Sequence, residues 1–321
     1  RRAQRANPRA KLVVSGCFAT LESQALTAEG GIDLLVPNQD KERLVAIAAA
    51  ELDLPTMPVT ALAADANPLF ARGRQRAFVK VQDGCRYRCA FCIVTLARGE
   101  ERSRPIAEVV AEINRSTAEG VREVVLAGVH LGGWGSDLGQ GLDELVAGVL
   151  TETAIPRLRL GSLEPWELPE RLWDLFANPR LMPHLHLPLQ SGADSVLRRM
   201  ARRCRTGEFA QLAAQARERV PGINLTTDLI VGFPGESEDE WRQTLDFVSR
   251  IGFGQIHIFP FSPRPGTKAA ALPDPVPAAV KRARSQALHQ LARRLKDETL
   301  DRRLGMETTI LVEGRHGGDS A

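Results

Sequence analysis

The sequence predicts an α/β protein whose main part is a parallel sheet covered by helices. Between about residues 74 and 304, apolar strand-like segments alternate with helical segments six times, and the strands are mostly apolar, as in sheets that are buried on both faces. The candidate strands are Ala77–Gln82, Glu123–Ala127, Arg157–Ser162, His184–Leu189, Asn224–Val231 and Gln255–Phe261. Six units are too few for an eight-stranded barrel and predict an open one, with a doubly wound sheet as the alternative.

The residues before the sheet, 1–54, predict part of a small α/β domain. Strands are expected at Lys11–Gly16 and Ile32–Val36, and a helix at Lys41–Glu51. The chain starts with Arg1 and reads as if it began inside a helix, so we expect a truncated domain. Residues 55–73, which are rich in Pro and Ala, are expected to be a linker.

The helices of the main part have recognisable ends. In the first of them, Ser103 can cap, Pro105 fits the first turn and Gly120 ends the apolar stripe. A long helix is expected from about Val276 to Leu304, and a strand from Glu307 to Val312. Residues 305–321 would then be the start of a further, truncated domain.

Three cysteines follow the first strand of the main part in a C-x3-C-x2-C run, at Cys85, Cys89 and Cys92. An odd number of thiols cannot all form disulfides, and the spacing is not that of a zinc ribbon. A four-iron cluster held by three thiolates leaves one iron open for chemistry, which favours an iron–sulfur site. The alternative is a zinc site completed by a distant histidine.

This run, with Phe91 before the third cysteine, resembles the signature of the radical S-adenosylmethionine superfamily. Further blocks resemble the methylthiotransferase family in the family's order, and most resemble its branch acting on threonylcarbamoyladenosine in tRNA: Val79–Pro105, His184–Gly192, Thr227–Glu236 and Phe261–Thr267. The resemblance covers about residues 11 to 312. It implies a partial (β/α)6 TIM-like barrel, a remnant of the N-terminal methylthiotransferase domain, and a C-terminal TRAM β-barrel that is largely missing.

The resemblance also places S-adenosylmethionine on the open iron. Sites in parallel α/β folds lie at the carboxyl ends of strands, and five residues near such ends are candidates for binding the cofactor: Gly128, His130, Glu164, Gln190 and Asp228. Plainer interpretations remain for parts of this set. The glycine pair Gly132–Gly133 that follows His130 fits a flexible turn, Glu164 fits a solvated loop, and Asp228 lies in an apolar run where it needs some partner.

His184 and His186 alternate on one strand and therefore point the same way. A two-histidine metal site is conceivable. A packed or hydrogen-bonded pair is favoured, because no carboxylate at suitable spacing completes a triad.

Two further cysteines stand apart from the run. Alone, Cys17 at a strand end is typical of a small core residue. The resemblance makes it the last of three ligands of a second [4Fe–4S] cluster, whose other ligands would precede Arg1. We therefore expect one cluster in this chain and two in the full-length protein. Cys204 matches no ligand of the family and is expected to be a free thiol, open to oxidation because the arginines around it in sequence favour the thiolate.

Arginines cluster after the fourth strand, on the same rim as the cysteine run, and are expected to contact RNA phosphates: Arg198, Arg199, Arg202, Arg203 and Arg205. A solvated charged face is the alternative.

Together these features imply a tRNA methylthiotransferase. By resemblance, a 5′-deoxyadenosyl radical takes hydrogen from carbon 2 of a modified adenosine at position 37, and a methylated sulfur replaces it. Rival substrates within the family are isopentenyladenosine and a ribosomal-protein aspartate. A zinc-stabilised, non-catalytic RNA-binding protein is the rival from another class.

The expected partners are the anticodon loop of tRNA and an electron donor such as flavodoxin or ferredoxin, with the protein itself a monomer. The sequence holds no apolar run long enough to span a bilayer and no secretion signal, so a cytoplasmic protein without membrane contact is expected.

Overall fold

The computed structural model describes residues 7, 10–52 and 75–312. These residues form two compact units. One contains the described residues up to 52 together with 84–86 and 93–100, and the other contains 75–83, 87–92 and 101–312. The predicted linker, 55–73, lies outside the described residues.

The first unit is a small α/β layer. Its elements are β1 (Val13–Gly16), α1 (Cys17–Leu21), α2 (Ser23–Glu29), β2 (Leu34–Pro37), a 3-10 helix (Asn38–Arg43), α3 (Leu44–Glu51) and α4 (Val94–Arg98). The two strands pair in parallel, with Val13 opposite Leu34 and Gly16 opposite Pro37. The predicted alternation of strand and helix in this part of the chain is confirmed.

The second unit alternates strands and helices. Its strands are β3 (Arg76–Lys80), β4 (Gln82–Asp83), β5 (Arg102–Ser103), β6 (Glu123–Ala127), β7 (Arg157–Leu160), β8 (His184–His186), β9 (Asn224–Val231) and β10 (Gln255–Pro260). Its α-helices are α5 (Ile106–Ala118), α6 (Leu142–Glu152), α7 (Leu172–Leu175), α8 (Asp194–Arg199), α9 (Thr206–Arg219), α10 (Glu238–Ile251) and α11 (Ala278–Asp301).

The six main strands follow one another in chain order. The ladder β3–β6–β7 and the ladder β8–β9–β10 are both parallel, and parallel bridges from Leu158 to Leu181 and from Ser162 to His186 continue the pairing between them. A doubly wound sheet reverses its strand order, whereas this series does not. The architecture is therefore the open, partial barrel that the six repeats predicted.

One face of the sheet packs on the helices. Along β9, Leu225, Leu229 and Val231 are buried in the same apolar core as Leu288 and Leu295 of α11. Side chains alternate along a strand, so the residues between them lie on the opposite face. That face carries the polar side chains described below.

Two local predictions are wrong. Residues 306–312 have no regular secondary structure, so the predicted strand Glu307–Val312 is not formed. A strand needs a neighbouring strand for its backbone hydrogen bonds, and no such partner lies beside these residues in the described part of the chain. Ser103 does not cap α5. Pro105 occupies the N-cap position, and the Ser103 hydroxyl accepts a hydrogen bond from the Gly135 N–H at 2.8 Å.

None of the described helices combines the length and the apolar composition that crossing a lipid bilayer requires.

Candidate functional site

Cys89 and Cys92 lie on one tight turn of the second unit. The Cys92 N–H donates to the Cys89 carbonyl at 3.0 Å, and the Ala90 N–H between them donates to the Met200 carbonyl at 2.9 Å. These bonds fix the turn, so both thiols have a defined position. Both are partly buried, and neither is part of a disulfide.

Cys85 follows Gly84, a position where the backbone conformation and the neighbouring atoms allow only glycine. Gly84 has a positive φ of 79°, and a Cβ on it would lie 1.9 Å from the Glu100 carbonyl oxygen. The Cys85 N–H donates to the Gly99 carbonyl at 3.2 Å. The backbone at Cys85 is therefore held against residues 99–100, and only glycine fits before it.

A buried arginine stands beside the Cys89 thiol. Arg202 Nη1 lies 3.9 Å from Cys89 Sγ, and the arginine side chain is only 2 % exposed. Burial raises the pKa of the Cys89 thiol, and the positive charge of Arg202 opposes that rise. A cluster that binds this sulfur would thus meet a cation at its edge, which is one way in which proteins tune such clusters.

Arg202 also fixes Glu164. The guanidinium contacts both carboxylate oxygens, with Nη1–Oε1 at 3.0 Å and Nη2–Oε2 at 2.7 Å, and it lies 4.6 Å from the centre of the Trp166 ring. This two-point geometry orients the carboxylate. Glu164 is therefore not the solvated loop acid of the plainer interpretation.

The expectation of an exposed arginine rim needs correction at Arg202. It is buried because Glu164 and the Cys89 sulfur give it partners inside the protein. Arg199 is paired with Glu240 at 2.8 Å, and its hydrogen bond, the largest contribution, helps to lower the pKa of Glu240 to about 2. Arg198 and Arg203 are exposed, and Arg205 is half-buried.

Gly128 and Gln190 both take part in close backbone contacts. A Cβ on Gly128 would lie 3.0 Å from Gln82 Oε1, which accepts a hydrogen bond from the His130 N–H at 2.8 Å. Gln190 has a φ of 74°, and its backbone continues the pairing with β9 through hydrogen bonds to Asp228 and Ile230. A strained, buried non-glycine residue at a strand end is a frequent mark of a functional site.

His130 lies between two carboxylates. Nδ1 is hydrogen-bonded to Glu101 and Nε2 to Glu167, and the Tyr87 hydroxyl donates to the other oxygen of Glu167. We call these four residues the acidic network. Burial alone would lower the pKa of His130, but the hydrogen bonds and charges of Glu167 and Glu101 outweigh it and raise that pKa. Both ring nitrogens are occupied, so a direct contact from them to a cofactor, as predicted, does not fit.

A second polar group lies on the face of β8, β9 and β10 that is opposite the apolar core. It consists of His184, His186, Thr226, Asp228 and His257, which we call the imidazole face. Thr226 Oγ1 lies 2.9 Å from His186 Nδ1 and 3.1 Å from His184 Nε2, and Asp228 Oδ1 lies 3.2 Å from His186 Nε2. Burial, helped by Arg159 and His186, lowers the pKa of His184 to about 3.

The favoured hydrogen-bonded pair is confirmed, since His184 and His186 both contact Thr226 Oγ1. The sequence did not show the carboxylate and the third histidine that lie next to His186. Asp228 lies beside His186, and the register that places His257 opposite Asp228 adds a third histidine. No spacing in the sequence shows this, because the three residues lie on different strands. Glu101, Glu167 and Tyr87 of the acidic network were missed as well. Glu167 lies in the same short segment as Glu164, and Tyr87 lies inside the cysteine run.

Cys17 is the first residue of α1 and follows Gly16, whose φ is 98°. Its Sγ lies 3.8 Å from Oδ1 of the buried Asn38, the residue that follows β2. Within the first unit α1 packs against α4, the helix that begins two residues after Cys92. The element that carries Cys17 thus contacts the segment directly after the cysteine run.

Cys204 is not the reactive thiol that its sequence neighbours suggested. It is buried, and burial, the largest influence, raises its pKa to about 12. The nearby carboxylates of Glu208 and Asp194 raise it further, while Arg202 lowers it. Desolvation outweighs the arginine charge, so the thiol stays protonated at neutral pH.

Three cysteine thiols with this spacing fit a [4Fe–4S] cluster that keeps one iron open, and the buried cation at Cys89 suits an anionic sulfur ligand. Arg202 links the carboxylate of Glu164 to the Cys89 thiol. The strained Gln190 belongs to the same unit as these residues. The donor set of this chain therefore accepts the cluster that the sequence implied.

Comparison with known proteins shows the family to which the chain belongs. The family model of the Radical SAM superfamily matches residues 79–248. The tRNA-2-methylthio-N(6)-dimethylallyladenosine synthase of Chloroflexus aurantiacus is 37 % identical over 329 aligned residues, which cover 99 % of this chain and 69 % of the relative.

Relatives with another substrate in their name are about as similar. The threonylcarbamoyladenosine tRNA methylthiotransferase MtaB of Thermotoga maritima is 33 % identical and covers 96 % of this chain and 72 % of its own length. The MtaB protein of Bacillus subtilis is 34 % identical, and the alignment covers 93 % of this chain and 68 % of the relative.

Solved structures share the fold at low sequence identity. The radical S-adenosylmethionine methyltransferase TsrM from Kitasatospora setae superposes with a TM-score of 0.63 and 18 % identity, covering 81 % of this chain and 59 % of that one. The coproporphyrinogen III oxidase HemN from Escherichia coli gives a TM-score of 0.53 and 17 % identity, and the superposition covers 77 % of this chain and 61 % of HemN.

Proposed function

Because the chain belongs to the radical SAM superfamily and, within it, to the tRNA methylthiotransferases, we propose that it adds a methylthio group to carbon 2 of N6-threonylcarbamoyladenosine 37 in tRNA. The finer part of this proposal is the substrate. The named relatives divide between two modified adenosines at nearly equal identity, so similarity alone does not choose.

The cysteine run is proposed to hold the cluster, with Cys85, Cys89 and Cys92 as its ligands. When bound, the cluster and S-adenosylmethionine supply the radical chemistry that activates a carbon–hydrogen bond. The chain's own part is to place and tune them. Arg202 holds a positive charge at Cys89 and at the same time fixes Glu164, which supports Glu164 as a polar contact of the cofactor. The positive φ of the buried Gln190 supports that residue as a second contact.

His130 acts through another residue in this proposal. Its imidazole is held between Glu101 and Glu167, so it positions Glu167 rather than touching the cofactor. Cys17 is proposed as a ligand of a second cluster, supported by its place at a strand end and by the packing of α1 on α4.

The imidazole face is the observation that carries the choice of substrate. Its groups face away from the apolar core, on the side of the sheet where a ligand can enter a partial barrel. An isopentenyl group has no hydrogen-bonding atom, so it would remove this polar face from water without pairing with any of its groups. A threonylcarbamoyl group carries amide, hydroxyl and carboxylate groups that can pair with them. A site built from polar groups discriminates strongly against an apolar analogue.

Contact with the tRNA backbone is proposed for the exposed Arg198 and Arg203, with Arg205 beside them. A low-potential donor such as flavodoxin or ferredoxin is proposed to supply the electron.

Mass spectrometry of tRNA nucleosides tests the function. Deleting the gene should remove 2-methylthio-N6-threonylcarbamoyladenosine and leave the unthiolated nucleoside in its place. Complementation with the intact gene should restore the product, whereas a Cys89→Ala gene should not. Loss of the methylthiolated isopentenyl nucleoside instead would show that the substrate assignment is wrong, and unchanged nucleosides would overturn the function itself.

A further inference from the structure

Three side chains of the imidazole face form a set with the composition of a metal site. His186 of β8, Asp228 of β9 and His257 of β10 each offer one ligand atom, and these atoms all lie within 4.8 Å of one another. The three strands are adjacent and parallel, with His257 opposite Asp228 and His186 opposite Thr226. Rigid paired strands therefore supply all three groups, one from each strand.

We propose that His186, Asp228 and His257 bind one divalent transition-metal ion, Zn²⁺ or Fe²⁺, on the face of the sheet opposite the apolar core. Two imidazoles and one carboxylate are a recurrent three-ligand set for these ions, which keep further positions open. Magnesium and calcium favour oxygen ligands and are not expected here.

The hydrogen bonds of His186 suit a ligand. A metal-binding histidine usually donates its other ring N–H to a fixed acceptor, and Thr226 Oγ1 lies 2.9 Å from His186 Nδ1. When Nδ1–H donates to Thr226, Nε2 presents a lone pair to the Asp228 carboxylate, 3.2 Å away. Two acceptor atoms at that distance repel each other unless a cation lies beside both. A bound metal ion resolves the conflict.

The metal-free alternative is a hydrogen-bonded chain. In it His184 donates to Thr226, whose single hydroxyl hydrogen goes to His186 Nδ1, and His186 Nε2–H donates to Asp228. This series of hydrogen bonds gives a partner to the same atoms of His186, Thr226 and Asp228, but it does not involve His257. The third imidazole is what distinguishes the two arrangements, because its ring centre lies only 5.5 Å from that of His186.

His257 lies on the open side of the set. It is exposed, whereas His186 and Asp228 are half-buried, so an ion can enter from solvent and still reach two ordered ligands. An oxygen atom of a bound molecule can take an open position of the ion. For a substrate carboxylate this last role rests on the proposed function, but metal binding does not.

The test uses the untagged full chain with its iron–sulfur cluster reconstituted, so that the cluster cysteines are occupied. Calorimetric titration with Zn²⁺ should show one site per chain in addition to the cluster. Zinc X-ray absorption should show nitrogen and oxygen neighbours with imidazole scattering and no sulfur.

The matched variants are His257→Ala and Asp228→Asn, with His289→Ala as the control, an exposed histidine on α11. The two ligand variants should weaken zinc binding by at least about 10- to 100-fold, the loss that even a hydrogen-bonding partner of a ligand causes. The control should bind as the unchanged chain does. Sulfur around the zinc, equal zinc binding by His257→Ala, or the absence of any zinc site would each overturn the proposal. In the last case the metal-free hydrogen-bonded arrangement would stand. Circular dichroism verifies that each variant is folded.

Discussion

His130 and His184 are both poorly accessible histidines next to an apolar strand, yet their surroundings favour opposite protonation states. In the acidic network, Glu101 and Glu167 raise the pKa of His130 against the effect of burial. On the imidazole face, burial with Arg159 and His186 nearby lowers the pKa of His184 to about 3. Burial disfavours the protonated imidazole in both places. Whether the pKa rises or falls depends on the carboxylates within hydrogen-bonding distance, which only His130 has. In one region the neighbouring carboxylates favour the protonated imidazole, and in the other burial favours the neutral one.

Removing the imidazole from the acidic network should have the largest effect. His130→Ala takes the shared hydrogen-bonding partner away from Glu101 and Glu167, which have little solvent access, so the free energy of unfolding should fall by about 3–5 kcal/mol. Urea denaturation measures this change. His257→Ala, an exposed histidine on the imidazole face, serves as the matched comparison and should change stability by less than about 0.5 kcal/mol.

Neutralising the acids distinguishes electrostatics from packing in that result. Adding Glu101→Gln and Glu167→Gln to the His130→Ala variant should recover part of the lost stability, because the repelling charges are gone. No recovery would mean that the imidazole fills space rather than balancing charge.

The second prediction concerns pH, where the two histidines should act in opposite directions. The folded pKa of His130 is raised above 6.5, so its contribution is complete below that pH and is lost as pH rises through the folded pKa. The folded pKa of His184 is about 3, so its effect is complete above 6.5 and stability is lost as pH falls from 6.5 towards 3. Each slope can reach about 1.4 kcal/mol per pH unit.

Denaturation midpoints between pH 4 and 8.5 measure both slopes. His130→Gln should flatten the decline on the alkaline side, and His184→Gln should flatten the decline on the acidic side. If both variants changed the same side, the assignment of opposite protonation states would fail.

The smallest effect is expected from Thr226, which joins two histidines of the imidazole face. Thr226→Val removes the hydroxyl that contacts His184 and His186 and should lower stability by about 1 kcal/mol. Thr226→Ser keeps the hydroxyl and should stay near the unchanged protein. Equal loss in both variants would point to the methyl group rather than the hydrogen bonds. Thermal midpoints measured side by side are sufficient.

The sequence predicted the features that depend on local pattern. Apolar strands separated by helices gave β6 and β9 with their observed ends. The parallel order of six strands followed from the repeat itself.

Features that depend on pairing between distant segments could not be predicted. The register that places His257 opposite Asp228 is invisible in the sequence, and so is the burial that turns Arg202 from an expected RNA contact into the partner of Glu164 and Cys89. Cys204 shows the same limit. Its arginine neighbours suggested a thiolate, but its pKa is about 12 because desolvation exceeds their charge.

We propose that Cys85, Cys89 and Cys92 hold the cluster at which S-adenosylmethionine is cleaved. The most direct measurement is 5′-deoxyadenosine formation by the anaerobically reconstituted, chemically reduced chain and its single Cys→Ala variants. Cys85→Ala, Cys89→Ala and Cys92→Ala should each abolish the product while remaining folded, and Cys204→Ala, outside the run, should form it as the unchanged protein does. Product formed by any of the three cysteine-run variants would contradict the account.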